Sequence, residues 1–247
     1  LREITEENAK EEALLFSTRT ALAYSPRNGL GNLGSSAYAA ENPPVGAVFT
    51  YYLAEGYTTL AAERKKAEAK LNKEGKDIPF PGWDALEAER REEAPEVILT
   101  IKDQDGNVVN KLSGPARKGM HRVVWNFRYP SANAINPNQR GGGGWRNFGF
   151  PATPGTYTVT LSKQIDGQTT QLAGPVEFEV ERLHKGALEP ASTQEMIAYR
   201  EAMTELQAEF SAVSATFNQH MNRLNAMETA LNRTLQDPGD LDARLHT

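Results

Sequence analysis

The sequence predicts a mainly β chain with added α structure: an antiparallel, immunoglobulin-like β-sandwich that carries a charged helical insert and is followed by a long C-terminal coiled-coil helix. Three observations predict it. Apolar and polar residues alternate from Pro95 to Arg182, the period of a strand with one wet face. Asp105-Gly106 and Asp166-Gly167 interrupt that alternation where tight hairpin turns would fall. From Met196 to Leu231, apolar residues recur at alternating spacings of three and four, which is a heptad seam.

Residues 1–44 open with a short polar helix signal and continue as "SPRNGLGNLGSSAYAAENPP". This Gly-, Ser-, Asn- and Pro-rich stretch has no periodicity and reads as a connector draped over another domain. The sandwich is expected over 45–185, and "VGAVFTYYL" (Val45 to Leu53), β-branched and aromatic between Pro44 and Gly56, supplies its first strand. The insert follows at 58–93. In it Arg64 and Glu68, and Lys70 and Glu74, stand four apart as on one helix face; "WDALEAERREE" reads as a second short helix, and Pro79 and Pro81 keep the two separate. The charge run reads as a solvated helix face rather than a docking surface.

Beyond the insert, Val97, Leu99 and Ile101 alternate with Ile98 and Thr100, and Asp105-Gly106 is expected to supply the positive φ angles of a tight turn. "HRVVWNFRYP" places Val123, Trp125 and Phe127 on one face, with His121 at its edge. Tyr157, Val159 and Leu161 oppose Thr156, Thr158 and Thr160; after the turn at Asp166-Gly167, Val176, Phe178 and Val180 point inward and Glu177, Glu179 and Glu181 outward.

Residues 190–247 read as a long helix and the start of a helical hairpin. Ser192 and Glu195 form a capping-box signature. The seam is Met196, Tyr199, Met203, Leu206, Phe210, Val213, Phe217, Leu224, Met227 and Leu231, with His220 at one seam position, where a polar residue sets register at some cost. At ~1.5 Å per residue such a helix is about 60 Å long, too long for the sandwich alone to cover. Asp237, Pro238 and Gly239 are expected to stop it, and "DLDARLHT" reads as the first turns of another helix. The seam's partner is then an antiparallel helix of the same chain, a second copy, or another protein. The start at Leu1 instead of Met reads as that of an excerpt or processed product.

Composition excludes several classes of function. The net charge is −5 and Lys and Arg are scattered, so there is no basic footprint for a nucleic-acid backbone. With no cysteine, disulfides, thiolate metal sites and cysteine nucleophiles are excluded. No window reaches the ~18 apolar residues of a membrane helix, so direct membrane insertion is not expected.

The motifs that could carry chemistry read as structure. Gly141 to Gly144 precede a turn and a strand, whereas a phosphate-cradling loop must open a helix. Trp145, Phe148 and Phe150 then pin that loop to the sandwich edge, and Trp145 with Phe148 is the candidate ligand platform, an aromatic surface for a glycan. His121, His184 and His220 lack a second ligand at metal spacing. "DQDG" (Asp103 to Gly106) lacks the later acidic ligands of a calcium loop, and no G-x-S-x-G elbow occurs. No catalytic residue, cofactor or metal ligand is assigned.

Taken together, "NPPVGAVFTYYL", "DQDGNVVNKL", "GMHRVVWNFRYP" and "FPATPGTYTVTLSKQIDGQ" resemble the C-terminal part of large bacterial exported proteins with sortilin-type β-propellers and BNR/Asp-box-like repeats, often labelled glycosyl hydrolase-like. The hairpin followed by the G-x-h-x-v-x-W strand, and then Pro154, Gly155, Thr156 and Tyr157, is also similar to the Ig-like domain of flagellar hook-capping proteins. The resemblance runs from about Leu1 to the start of the last helix. It implies propeller blades before Leu1 that hold any ligand or catalytic residues, a propeller domain of the same chain as partner, and an extracytoplasmic location. The function expected is a non-catalytic structural or interaction module of such a protein, with the accessory domain of a carbohydrate-active propeller enzyme as the alternative.

Overall fold

The period-two segments build two sheets that share one apolar interior. In the computed structural model, residues 3–5, 8–25, 43–135, 148–184 and 191–245 are described. The chain divides into two units, one of Leu1–Tyr129 with Pro151–Pro190 and one of Pro130–Phe150 with Ala191–Thr247.

In the first unit β1 (Ala13–Leu15), β3 (Ala47–Leu53) and β6 (Gly119–Trp125) form a three-stranded antiparallel sheet with β3 in the middle. A five-stranded sheet runs in the order β2 (Ala21–Ala23), β10 (Gln168–Arg182), β9 (Gly155–Ile165), β4 (Glu96–Asp103) and β5 (Val108–Gly114). The latter sheet is mixed, because β2 lies parallel to β10 with Ala21 opposite Val180. The strands curl as a half-barrel. A separate ribbon pairs β7 (Arg128–Pro130) with β8 (Phe148–Pro151). The architecture is therefore mixed α and β, with antiparallel and mixed sheets and a long C-terminal helix.

The segment read as a polar helix signal and connector contributes more than expected. Asn8–Lys10 is a single 3-10 turn, and β1 and β2 follow it, each an apolar triplet too short for its period to show in the sequence.

Alternation decides which side chains enter the interior. Phe49, Tyr51 and Leu53 of β3, Val97, Leu99 and Ile101 of β4, and Tyr157, Val159 and Leu161 of β9 are buried, while Glu177, Glu179 and Glu181 of β10 are exposed around buried Phe178 and Val180. Trp125 sits between the sheets, edge-on to Tyr157 at 5.2 Å, Phe127 at 5.6 Å and Phe178 at 6.2 Å. Its indole N–H donates to the Arg128 carbonyl at 2.9 Å, so its one polar atom is satisfied. Phe127 does not continue β6, as the alternation suggested: the strand ends at Trp125, and Phe127 reaches the core from a left-handed φ of 57°.

The two Asp-Gly turns differ. At Asp166-Gly167 both residues have positive φ, 49° and 74°, and Ile165 pairs with Gln168, the two-residue turn that the sequence predicts. At Asp105-Gly106 only Gly106 is left-handed, with φ 83°. The Asp103 carboxylate accepts from the Asp105 and Asn107 backbone N–H groups at 3.1 and 2.8 Å, and the Asp103 carbonyl accepts from Gly106 N–H at 3.1 Å. Asp103 thus fixes a wider turn, and Asp105 needs no strained φ.

The insert forms α1 (Leu60–Lys73) and α2 (Trp83–Arg91), neither with a buried residue. Charge closes this pair: the Arg64 guanidinium donates to both Glu89 oxygens at 2.6 and 2.9 Å, and the Glu92 carboxylate accepts from the first amide of α1, Leu60 N–H, at 2.8 Å.

The second unit is built on α3 (Thr193–Arg233), 41 residues opened by the predicted capping box: Ser192 Oγ accepts from Glu195 N–H at 3.2 Å, and the Glu195 carboxylate accepts from Ser192 N–H at 2.9 Å. The helix ends at Arg233, before the expected stop at Asp237, Pro238 and Gly239. Gly239, with φ 62°, precedes the short α4 (Leu241–Leu245).

Two substitutions test the packing. Leu99→Ala should lower stability by about 2–5 kcal/mol. Gly46→Ala should also destabilise, because Gly46 has φ 150° and a Cβ there would lie 2.3 Å from the Trp125 carbonyl oxygen. Both are read as a lower urea midpoint at constant slope; an unmoved midpoint for either would show that its site is not packed as described.

Candidate functional site

A helix takes its place in a fold by burying a stripe, and α3 buries none. No residue of this helix is buried, and Tyr199, Leu206, Phe210, Val213 and Phe217 are all more than half exposed, Phe210 at 73%. Leu224 and Met227 are exposed as well, and Met196, Met203 and Leu231 are half-buried. The structure thus brings the predicted seam residues into one stripe, and Met221, also exposed, widens it beside Phe217 and Leu224. His220 lies exposed within it.

A different face of α3 is in use. The Gln207 side-chain amide donates to Asn133 Oδ1 at 2.9 Å, and the Ala134 N–H donates to Ser211 Oγ at 2.7 Å. Gln207 and Ser211 are four apart, and at about 100° per residue they lie roughly a third of a turn from the middle of the seam. The polar face therefore holds residues of its own unit, and the apolar face is open.

Two further clusters escaped the sequence reading. Phe80, in the loop before α2, and Trp83, the first residue of α2, stand edge-to-face at 5.2 Å, Trp83 at 78% exposure. Glu12 Oε1 accepts from Lys163 Nζ at 2.5 Å and from the Tyr57 hydroxyl at 2.8 Å, and the ammonium lies 5.2 Å from the Tyr57 ring centre. The Lys163 and Tyr57 hydrogen bonds hold the Glu12 carboxyl below its ordinary value, and burial followed by the Glu12 contact pushes the Tyr57 hydroxyl up. A carboxylate engaged by two donors and a phenol held away from ionisation serve poorly as base and acid. They tie the turn before β1 to the loop after β3 and to β9.

His121 behaves as a core-edge residue: its ring lies 5.2 Å from Tyr51, and its Nε2 is 2.5 Å from the Arg117 carbonyl. The Tyr51 hydroxyl donates to the Pro115 carbonyl at 2.7 Å, and burial pushes its pKa up to about 12. Trp145 and the Phe148 side chain, the candidate ligand platform, lie outside the described residues, although the Phe148 backbone begins β8. Among the described residues no group of His, Asp and Glu could hold a metal ion, and no helix is long and apolar enough to cross a membrane. No family model, curated protein or solved structure matches the chain.

The Arg64 to Glu89 contact supplies a pH test. The Arg64 hydrogen bonds hold the Glu89 carboxyl below its ordinary 4.5, so the contact contributes stability above that pH and loses it as pH falls through the folded value. Arg64→Met should return the Glu89 carboxyl, followed by NMR titration, to the ordinary carboxylate range. A Glu89 that titrates there already in the parent chain would show that α1 and α2 are not joined by this pair.

Proposed function

We propose that the chain is a non-catalytic interaction module, in which the β unit is a scaffold and α3 presents its seam to another helix. The observation that carries this reading is the exposed stripe from Leu206 to Met227 on a helix with no buried residue. Large apolar stripes rimmed by polar residues mark contact surfaces, because leaving them in water forgoes about 25 cal/mol per Å². The three-and-four spacing matches the knobs of helix-on-helix packing better than the flat demands of a sheet.

The β unit fits the role of scaffold: two sheets, one aromatic interior, and polar pairs that act as tethers. Its finer description is an immunoglobulin-like sandwich whose two sheets meet across Trp125. The resemblance of "NPPVGAVFTYYL" and "GMHRVVWNFRYP" to bacterial exported propeller proteins supports a setting next to a β-propeller, outside the cytoplasm. The carbohydrate-accessory alternative rests on Trp145 and Phe148.

Site-specific photo-crosslinking in the producing cell tests the proposal. A benzophenone amino acid at Leu206 or Phe217 should give adducts that map to a helical segment, while the same group at exposed Gln219, off the seam, should give at least tenfold less. Equal yields at the three positions, or none, would remove the seam as a contact surface.

A further inference from the structure

We propose that the helix received by the seam is α3 of a second copy of this chain, running antiparallel about a two-fold axis beside Ala215. The inference rests on the reading of the seam as a contact surface and names its occupant. Three observations carry it.

The first is that the seam is exposed from Leu206 to Met227 while the polar face of α3, through Gln207 and Ser211, is occupied within its own unit. The stretch that a second helix would cover is therefore one that the chain leaves exposed.

The second is fit. With the axis beside Ala215, Leu206 of one copy meets Leu224 of the other, Val213 meets Phe217, and Phe210 meets His220. The layers, Leu with Leu, Val with Phe and Phe with His, then differ less in total bulk, as evenly interdigitated packing requires. A parallel pairing in register would instead set Phe210 on Phe210, Phe217 on Phe217 and Val213 on Val213. Its layers would alternate between crowded and underfilled, and two His220 rings would face each other. The antiparallel axis, level with Ala215, also passes between small flanking residues, where symmetry sets Ser214 near Ser214 and Thr216 near Thr216.

The third is charge. The same register brings exposed Glu209 of one copy beside exposed Arg223 of the other, and the two-fold axis repeats the pair. In the parallel register Glu209 would flank Ser214 instead. Opposite charges flanking an apolar seam set orientation more than affinity.

Light scattering and sedimentation equilibrium of the chain should give a dimer, and Phe210→Glu with Phe217→Glu should give a monomer with unchanged circular dichroism. Both rings are exposed, so the double variant tests association and not folding. Glu209→Arg should raise the dissociation constant about five- to tenfold, and adding Arg223→Glu should restore it. The chain has no cysteine, so orientation can be read directly. A short bis-maleimide should join Leu206→Cys to Leu224→Cys in a mixture of the two variants, at least tenfold more than it joins Leu206→Cys to itself. Self-linking at Leu206→Cys would overturn the antiparallel pairing. A monomeric parent chain, or a dimer that survives the double Glu variant, would overturn the second copy as occupant. Photo-crosslinks from the seam to a different helix, with a monomeric parent, would leave the contact surface standing and remove only this inference; absence of seam crosslinks would remove both.

Discussion

The packing of Trp125 against Tyr157 and Phe178 holds the β unit together. Trp125 and Phe49 come from the three-stranded sheet, and Tyr157 and Phe178 from the five-stranded one. Phe49 meets Phe178 edge-on at 5.1 Å, so these contacts join two sheets that no backbone ladder connects. Everything nearby serves that junction. Gly46 leaves room for the Trp125 carbonyl, the Arg128 carbonyl accepts from both the indole and the Asn110 side-chain amide, and Phe127 takes a left-handed φ that carries its ring to the cluster. A positive φ at a bulky residue is costly, and burial of the ring offsets it.

The sequence made the strands legible wherever alternation runs long enough to distinguish a period of two. That holds for Val97 to Ile101, Tyr157 to Leu161 and Val176 to Val180, and it fails for β1 and β2, whose three residues carry no period. The parallel pairing of β2 with β10 joins Ala21 to Val180, and no local signal encodes a contact so distant in sequence. The two Asp-Gly pairs show a finer limit. The dipeptide marks a turn in both places, but Asp103, two residues earlier, decides that the first turn is wide, through a side chain that caps it.

The candidate site divides in the same way. A heptad seam is a local pattern, and its spacing of three and four can be read from α3 alone. What holds the other face of α3 is not local, since Asn133 stands 74 residues before Gln207; in the β unit, likewise, Lys163 reaches Glu12 across 151. Such polar pairs have no period, because one hydrogen bond needs only one donor and one acceptor in reach.

The two units reach stability by different physics, and this decides which of them leaves an apolar stripe in water. The β unit buries its own apolar face and would gain little from further contact. The helix α3 has a capping box at one end and 41 residues of continuous backbone hydrogen bonding, yet a helix in water is held mainly by the stripe it buries. Four of its exposed seam and flanking residues, Tyr199, Phe210, Val213 and Phe217, are aromatic or β-branched and lose rotamer freedom in a helix, so propensity alone does not favour them there. Their presence at seam spacing is understandable if the state that matters is one in which they are covered. The cost of keeping them in a helix is then recovered at the interface.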